Sequence, residues 1–149
     1  MARLLVVHHT TSPVTAALLE AVREGASVEG LEDVEVVVRP ALSAGAADLL
    51  AAHGVLLGTP VNIGYMSGAL KHFFDTVYYP CLDATVGLPY GLWVHGGDNL
   101  AGAVRSVEQV ATGLRWRQAA AHCLVTGAPG PEDLDACREL AGTVAAGLL

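Results

Sequence analysis

The alternation of short apolar runs with amphipathic segments constrains the fold of this chain more than any other feature of its sequence. Five β-rich runs alternate with five segments of helical length or helical periodicity. The runs are residues 3–8, 34–39, 54–58, 90–95 and 122–126. Most are continuously apolar, as expected for strands buried on both faces of a parallel sheet. The pattern therefore predicts a three-layer α/β fold with a doubly wound, five-stranded parallel sheet.

The segment after the third run shows the clearest helical periodicity. Its apolar residues are spaced as on one face of a helix and are Met66, Leu70, Phe73, Phe74 and Val77. Such a stripe usually belongs to a hydrophobic core rather than to a ligand site. Lys71 and Asp75 are four residues apart in the same segment, which predicts a surface ion pair. The second helical segment, near residues 44–52, is short.

Length and composition exclude several classes of protein. The chain has 149 residues, 52% of them hydrophobic, which is enough for one domain with a sizeable core, and we assign residues 1–149 to it. The apolar runs are too short to cross a bilayer and the first residues do not resemble a signal peptide, so a cytoplasmic protein without a membrane partner is expected. A net charge of −7 without a basic cluster argues against nucleic acid as a partner.

The residue types that bind metals do not stand at metal-binding spacings. The chain has three cysteines, Cys81, Cys123 and Cys137. Their odd number and the lack of a CxxC pair indicate reduced thiols rather than a disulfide framework or a zinc site. Two histidines end the first run and His95 ends the fourth, close to Asp98, but no HxH or HExxH spacing is present. We therefore expect no metal.

Ligands of doubly wound sheets bind outside the carboxyl ends of the strands, which directs attention to residues 8–15, 59–67 and 95–99. The first of these segments contains a hydroxyl turn, residues 10–15, which consists of Thr10, Thr11, Ser12, Pro13, Val14 and Thr15. The N-terminus of the following helix offers free N–H groups and a partial positive charge to an anion. Ser12 and Pro13 also suit the start of any helix. Capping needs one hydroxyl, however, so four of them favour an anion site.

The second segment carries the strongest resemblance to a known family. It is similar to the corresponding loop and helix of NAD(P)H-dependent FMN reductases and related quinone reductases in the flavodoxin superfamily. The residues at the landmarks of that segment are Gly58, Pro60, Gly64, Lys71, Phe74 and Asp75. The hydroxyl turn resembles the first loop of the superfamily, with Thr10, Ser12 and Thr15 at its hydroxyl positions. Pro13 departs from the pattern by replacing the usual glycine, which removes one N–H donor.

The resemblance implies a flavodoxin-like sheet with strand order 2-1-3-4-5 and an FMN cofactor. It implies that the hydroxyl turn, Val14 included, holds the FMN phosphate. The residues implied to line the flavin ring are Pro60, Val61, Asn62, Ile63 and Gly64, with Asn62 or Tyr65 at its polar edge. The residues implied to border the pyrimidine side are His95, Gly96, Gly97 and Asp98. His95 is the one catalytic candidate, as a donor or proton relay, although an imidazole there can also cap local carbonyl groups.

The implied function is an oxidoreductase that passes electrons from NADPH or NADH through FMN to a quinone or a similar small-molecule acceptor. The cofactor supplies the chemistry, so no acid–base dyad is needed, and none is evident. The resemblance is also compatible with a homo-oligomer. One alternative is a flavodoxin-type one-electron carrier, although the candidate loops contain only Asp98 and Tyr65 of the acidic and aromatic residues usual there. Another is a non-enzymatic binding domain on the same fold.

Overall fold

A parallel sheet forms the centre of the molecule, and the computed structural model describes residues 1–149. The elements in chain order are β1 (Ala2–His8), α1 (Pro13–Ala26), β2 (Val34–Pro40), α2 (Ala46–Leu50), β3 (Gly54–Asn62), β4 (Tyr65–Met66), α3 (Gly68–Cys81), β5 (Pro89–Gly96), α4 (Ala101–Gly113), β6 (Arg117–Gln118), β7 (Cys123–Thr126) and α5 (Pro131–Ala146). All five predicted strands and all five predicted helices are present.

The strand order confirms the predicted flavodoxin-like α/β fold. β1 pairs with β2 on one side and β3 on the other, and β5 pairs with the far side of β3, all in parallel. The last position is shared by β6 and β7, which both pair in parallel with β5. The short strand β4 pairs only with β3, in the antiparallel direction. When β4 is left out and β6 and β7 are counted as one interrupted strand, the strands renumbered along the chain have the order 2-1-3-4-5. The prediction missed β6 and placed residue 122 in the last strand, whereas β7 begins at Cys123.

The predicted third strand is four residues too short. β3 continues through Pro60 to Asn62 and then turns back into β4, so that Val61 pairs with Met66 and Asn62 with Tyr65. β1 pairs with β3 only as far as Gly58, and β5 pairs with it only as far as Pro60. The end of β3 therefore projects beyond the sheet as a hairpin, residues 61–66, which we call the edge hairpin.

Two hydrophobic clusters cover the two faces of the sheet. The larger joins the sheet to α3 and α4 and contains Phe73 and Phe74 at its centre, whereas the smaller joins it to α1 and α5. Met66 is buried in the larger cluster, as its place in the apolar stripe predicts. The predicted ion pair also forms, with Lys71 Nζ 2.6 Å from Asp75 Oδ1. No helix combines the length and the hydropathy that a membrane-spanning segment requires.

Candidate functional site

The hydroxyl turn is closed by a reciprocal capping box at the start of α1. Ser12 Oγ accepts a hydrogen bond from Thr15 N at 3.1 Å, and Thr15 Oγ1 accepts one from Ser12 N at 3.0 Å. Thr15 Oγ1 also accepts from Thr11 N at 3.1 Å. The box arises because a hydroxyl at the N-cap and another three residues later can each satisfy a backbone N–H that the helix leaves free. Two of the four hydroxyls, not one, are thus used to cap the helix.

Several donors of the hydroxyl turn have no acceptor within the protein. The backbone N–H groups of Thr10 and Val14 make no hydrogen bond, and neither does the Thr11 hydroxyl, which is exposed. Pro13 contributes no donor because proline lacks a backbone N–H, and it stands at the first position of α1, where an N–H would have no partner within the helix. The free N–H groups lie at the positive end of a fourteen-residue helix. The turn therefore retains the features that suit an anion. More of its free donors are backbone N–H groups than side-chain hydroxyl groups.

His8 connects the end of β1 to the hydroxyl turn. Its Nδ1 lies 2.8 Å from the Thr10 hydroxyl, which can donate to the neutral imidazole. Burial lowers the pKa of His8 below its ordinary value of 6.5, and the positive charges of His9 and Arg23 lower it further. His8 is therefore neutral at physiological pH and holds the Thr10 side chain in place.

The lowered pKa of His8 predicts a loss of stability in mild acid. The unfolded chain binds a proton at His8 more readily than the folded chain, so the free energy of unfolding falls as the pH drops through about 6.5. We expect His8→Asn, which keeps a hydrogen-bond acceptor for Thr10, to show a smaller decrease between pH 7 and pH 5. Urea unfolding of both proteins at the two pH values measures this difference. An equal decrease in both would show that His8 does not contribute.

The edge hairpin turns through two residues with positive φ. Ile63 has φ of 51° and Gly64 has φ of 70°, the backbone conformation of a two-residue type I′ turn. Ile63 is fully exposed and Tyr65 is partly exposed, so the tip presents an apolar and an aromatic side chain to solvent. Asn62 is also exposed and its side-chain amide makes no hydrogen bond within the protein.

The base of the edge hairpin is fixed by buried hydroxyl groups. Thr59 Oγ1 accepts a hydrogen bond from Ser67 N at 2.9 Å and donates to the carbonyl oxygen of Pro60 at 2.8 Å. On the α4 side, Ser106 Oγ accepts from Met66 N at 3.1 Å. The sequence prediction named neither Thr59 nor Ser106 as a site residue, since a lone buried hydroxyl gives no pattern that identifies its partner. These bonds fix the hairpin relative to the sheet edge.

The third segment, residues 95–99, comprises the end of β5 and the loop after it, and it lies against the edge hairpin. A Cβ added to Gly96 would stand 2.8 Å from Val61 Cγ2, so only glycine permits this approach without displacing Val61. Gly97 faces open space and Asp98 is exposed. The carbonyl oxygen of Gly96 accepts a hydrogen bond from Gly127 N at 2.9 Å. The loop after β7 thus contacts the third segment, a contribution that the sequence prediction did not include.

His95 is anchored to that same loop. Its Nε2–H donates to the carbonyl oxygen of Gly127 at 2.9 Å, a bond that fixes the tautomer and leaves Nδ1 without a proton when the ring is neutral. Residue 95 pairs with Pro60 across the sheet. The imidazole therefore stands at the sheet edge beside the edge hairpin, and the carbonyl group that it caps is distant in the sequence.

The three predicted segments meet at one end of the sheet. His8 pairs with Gly58, and Pro60 pairs with His95, so all three segments leave the sheet at its carboxyl edge. His9 N also donates to the carbonyl oxygen of Gly58 at 3.1 Å. A helix N-terminus with free donors, a projecting hairpin and a glycine-containing loop surround this edge. Such a place at the reversal of strand order is the usual ligand site of an open α/β sheet.

The family comparison agrees with this arrangement. Residues 9–126 match the family model described as NADPH-dependent FMN reductase, and the match includes all three segments except His8. The chain belongs to this family. The membership confirms the predicted resemblance to FMN reductases of the flavodoxin-like fold. It does not identify the electron donor or the acceptor.

Individual relatives extend the comparison. A flavodoxin of Aquifex aeolicus (strain VF5) is 38% identical over 77 residues, which are 52% of this chain and 40% of that relative, so less than half of its length is matched. A WrbA-like flavodoxin of Agrobacterium tumefaciens has a TM-score of 0.81 at 19% identity, with 99% of this chain and 98% of the other covered. A flavodoxin from the domain Archaea has a TM-score of 0.83 at 20% identity, with 98% of each chain covered. The two solved structures show the shared fold.

Proposed function

We propose that this protein binds FMN at the carboxyl edge of its sheet and passes electrons from NADPH or NADH to a quinone or a similar small-molecule acceptor. The observation that carries the proposal is the convergence of the three segments within a chain of the FMN reductase family. When bound, FMN supplies the redox chemistry. The protein positions the cofactor and adjusts its reduction potential.

The hydroxyl turn suits the phosphate of FMN. The unpaired N–H groups of Thr10 and Val14 can donate to phosphate oxygens, with the Thr11 hydroxyl beside them. The Ser12 hydroxyl would be shared between the capping box and the phosphate. The Thr15 hydroxyl already donates to the carbonyl oxygen of Ser12 at 3.1 Å, so it would have to release that bond to reach a phosphate oxygen. The turn has no basic side chain, so the phosphate charge would be stabilised by the helix dipole and backbone donors.

The edge hairpin and the third segment suit the flat ring. Pro60, Val61, Asn62, Ile63 and Gly64 would line one side, with the free Asn62 amide or the Tyr65 hydroxyl at the polar edge. The backbone of Gly96 and Gly97 would border the other side, close to Asp98. Gly97 has no atom within 4 Å of an added Cβ, so a ring can approach its main chain closely.

His95 is the residue that we propose to handle protons. The carbonyl oxygen of Gly127 holds Nε2–H, which leaves Nδ1 free to accept a proton or a hydrogen bond. A quinone that is reduced by two electrons also takes up two protons, so an imidazole at the sheet edge would serve such an acceptor. This role requires FMN and the acceptor to bind within hydrogen-bonding distance of the His95 imidazole.

The absorbance spectrum of the purified protein tests the proposed function. We expect flavin absorption, or a flavin spectral change on titration with FMN, and bleaching when NADPH or NADH is added without oxygen. Turnover with a soluble quinone should follow. A protein that is colourless and does not respond to FMN would overturn the proposal.

The alternative is a one-electron carrier, which the similarity to the Aquifex aeolicus flavodoxin favours. A carrier would stabilise a one-electron-reduced flavin during stepwise reduction and would not turn over NADPH or NADH. Two-electron bleaching by a nicotinamide nucleotide, with acceptor turnover, would exclude this alternative. The same anaerobic titration therefore separates the two functions.

Ser12→Ala tests the phosphate contact separately from the ring contact. We expect FMN affinity to fall about fivefold to tenfold, because a hydrogen bond to an anion is lost while the capping role limits the net effect. Riboflavin, which lacks the phosphate, should bind the variant and the parent protein equally. Isothermal titration with both ligands measures the ratio of the two affinities.

Ser67→Ala is the matched control for this measurement. Ser67 caps α3 as Ser12 caps α1, since its Oγ accepts a hydrogen bond from Leu70 N at 3.2 Å. Each substitution should lower the free energy of unfolding by about 1 kcal/mol through loss of the cap. Only Ser12→Ala should change the ratio of FMN to riboflavin affinity. An unchanged ratio in Ser12→Ala would contradict the assignment of the phosphate to this turn.

A further inference from the structure

Two of the three cysteines lie in contact inside the protein. Cys123 at the start of β7 and Cys137 in α5 have their sulfur atoms 3.3 Å apart, and they are separated by fourteen positions in the chain. A disulfide requires a sulfur–sulfur distance of about 2.05 Å, so a relative shift of about 1 Å would join them. Cys81 is buried in the other hydrophobic cluster, which contains no second cysteine.

A surface cavity leads to this pair from outside the candidate flavin site. It has a volume of about 370 Å³ and lies between α5 and the segment that precedes β7. Cys123 is part of its wall, among small residues such as Ala120 and Ala136. Cys123 is 6% exposed, whereas Cys137 is 0% exposed. A small solute that enters the cavity therefore reaches Cys123 first.

We propose that Cys123 and Cys137 form a redox-active dithiol, which a hydroperoxide oxidises to an intramolecular disulfide. In the first step the Cys123 sulfur attacks the peroxide, the O–O bond breaks, and a sulfenic acid and an alcohol or water are formed. In the second step the Cys137 sulfur attacks the sulfenic sulfur and water leaves. The two thiols together lose two electrons and two protons, and the peroxide is reduced.

The contact between the two thiols favours Cys123 as the attacking residue. The Cys137 S–H can donate to Cys123 Sγ at 3.3 Å, and donation in this direction stabilises the thiolate of Cys123 and lowers its pKa. The same contact and burial raise the pKa of Cys137, so this thiol stays protonated in the reduced pair and does not compete for the peroxide. In the second step its proton leaves with the sulfenic hydroxyl group as water. Burial raises the pKa of Cys81, which has no neighbouring thiol to counter it. Cys81 therefore serves as an internal control, since we expect it to react with peroxide more slowly than Cys123.

Thiol titration of the full chain after treatment with hydrogen peroxide tests the proposal. We expect free thiols, counted after denaturation, to fall from three to one per chain and to return to three with dithiothreitol. Peptide mapping should show a peptide pair joined through Cys123 and Cys137 that has lost two hydrogen atoms. Three unchanged thiols, a disulfide between two chains, or oxidation of Cys81 at the same rate would overturn the proposal.

Two alanine variants test the order of the steps. Cys137→Ala should accumulate a sulfenic acid on Cys123, which dimedone labels, because the resolving thiol is missing. Cys123→Ala should protect Cys137 from oxidation, because the accessible thiol is missing. Cys81→Ala should still lose two thiols. If Cys137 in Cys123→Ala oxidises as fast as in the parent chain, or if dimedone labels neither variant, the assigned roles are wrong. Circular dichroism of each variant establishes that it is folded before treatment.

Discussion

Gly102→Ala is expected to lower FMN affinity about tenfold to a hundredfold, the largest effect on binding that we predict from a residue outside the three segments. Gly102 lies in the first turn of α4, directly against the tip of the edge hairpin. A Cβ at this position would stand 2.0 Å from the carbonyl oxygen of Gly64. The atom that the added Cβ would meet belongs to the backbone of the hairpin turn. No side-chain rotation can therefore relieve the clash, and the hairpin must move.

Displacement of the edge hairpin would alter the ring site and leave the hydroxyl turn in place. FMN and riboflavin affinities should therefore fall by the same factor in Gly102→Ala, in contrast to Ser12→Ala, which should affect FMN alone. Overpacking of this kind costs about 1–3 kcal/mol, so the free energy of unfolding should fall without loss of the fold. Titration with both ligands, together with urea unfolding, measures the two consequences.

Gly68→Ala is the matched control for the effect of adding a methyl group to a helix. Gly68 is the first residue of α3, and an added Cβ there has no atom within 4 Å. We expect its flavin affinity to match that of the parent protein. Unchanged affinity in Gly102→Ala would mean that the edge hairpin does not contact the flavin ring, whereas an equal loss in both glycine variants would mean that the clash is not the cause.

The edge hairpin also shows where the sequence prediction of the site stops. The order of the strands could be predicted because strands that are buried on both faces are continuously apolar. The hairpin could not, because its two-residue turn begins with Ile63, a β-branched residue that rarely adopts positive φ. An Asn-Gly turn would have been recognised, but Ile63 separates Asn62 from Gly64. The family resemblance consequently names the residues that we propose to line the ring, but it does not predict their conformation.

The hydroxyl turn shows a second limit, which concerns shared hydrogen bonds. The number of hydroxyls indicated an anion site, and capping was assumed to use one of them. Thr15 takes the place of the Glu or Gln that usually completes a capping box, so the reciprocal bonds with Ser12 could not be recognised from the usual pattern. The Gly127 contact with His95 was missed for a different reason, since it joins residues thirty-two positions apart and depends on how β7 pairs with β5.

Close contacts between helices are likewise invisible in the sequence, and Gly25 provides the strongest case. It lies near the end of α1, where α1 packs against α5. A Cβ added to Gly25 would stand 2.1 Å from the carbonyl oxygen of Arg138 and 2.6 Å from its Cα. Because both contacts are with backbone atoms, only separation of the two helices can accommodate a methyl group. That separation would loosen the smaller hydrophobic cluster, to which both helices contribute.

Gly25→Ala is therefore expected to lower the free energy of unfolding by about 2–4 kcal/mol, the largest loss of stability that we predict. Alanine favours a helix over glycine by about 1 kcal/mol, which offsets only part of this cost. Gly142→Ala, on the facing side of α5, is the matched control, because its Cβ would lie 3.3 Å from the carbonyl oxygen of Gly25 and needs only a small adjustment. Urea unfolding should give Gly25→Ala a clearly lower free energy of unfolding than Gly142→Ala. Equal free energies for the two variants would show that the helices can separate at little cost.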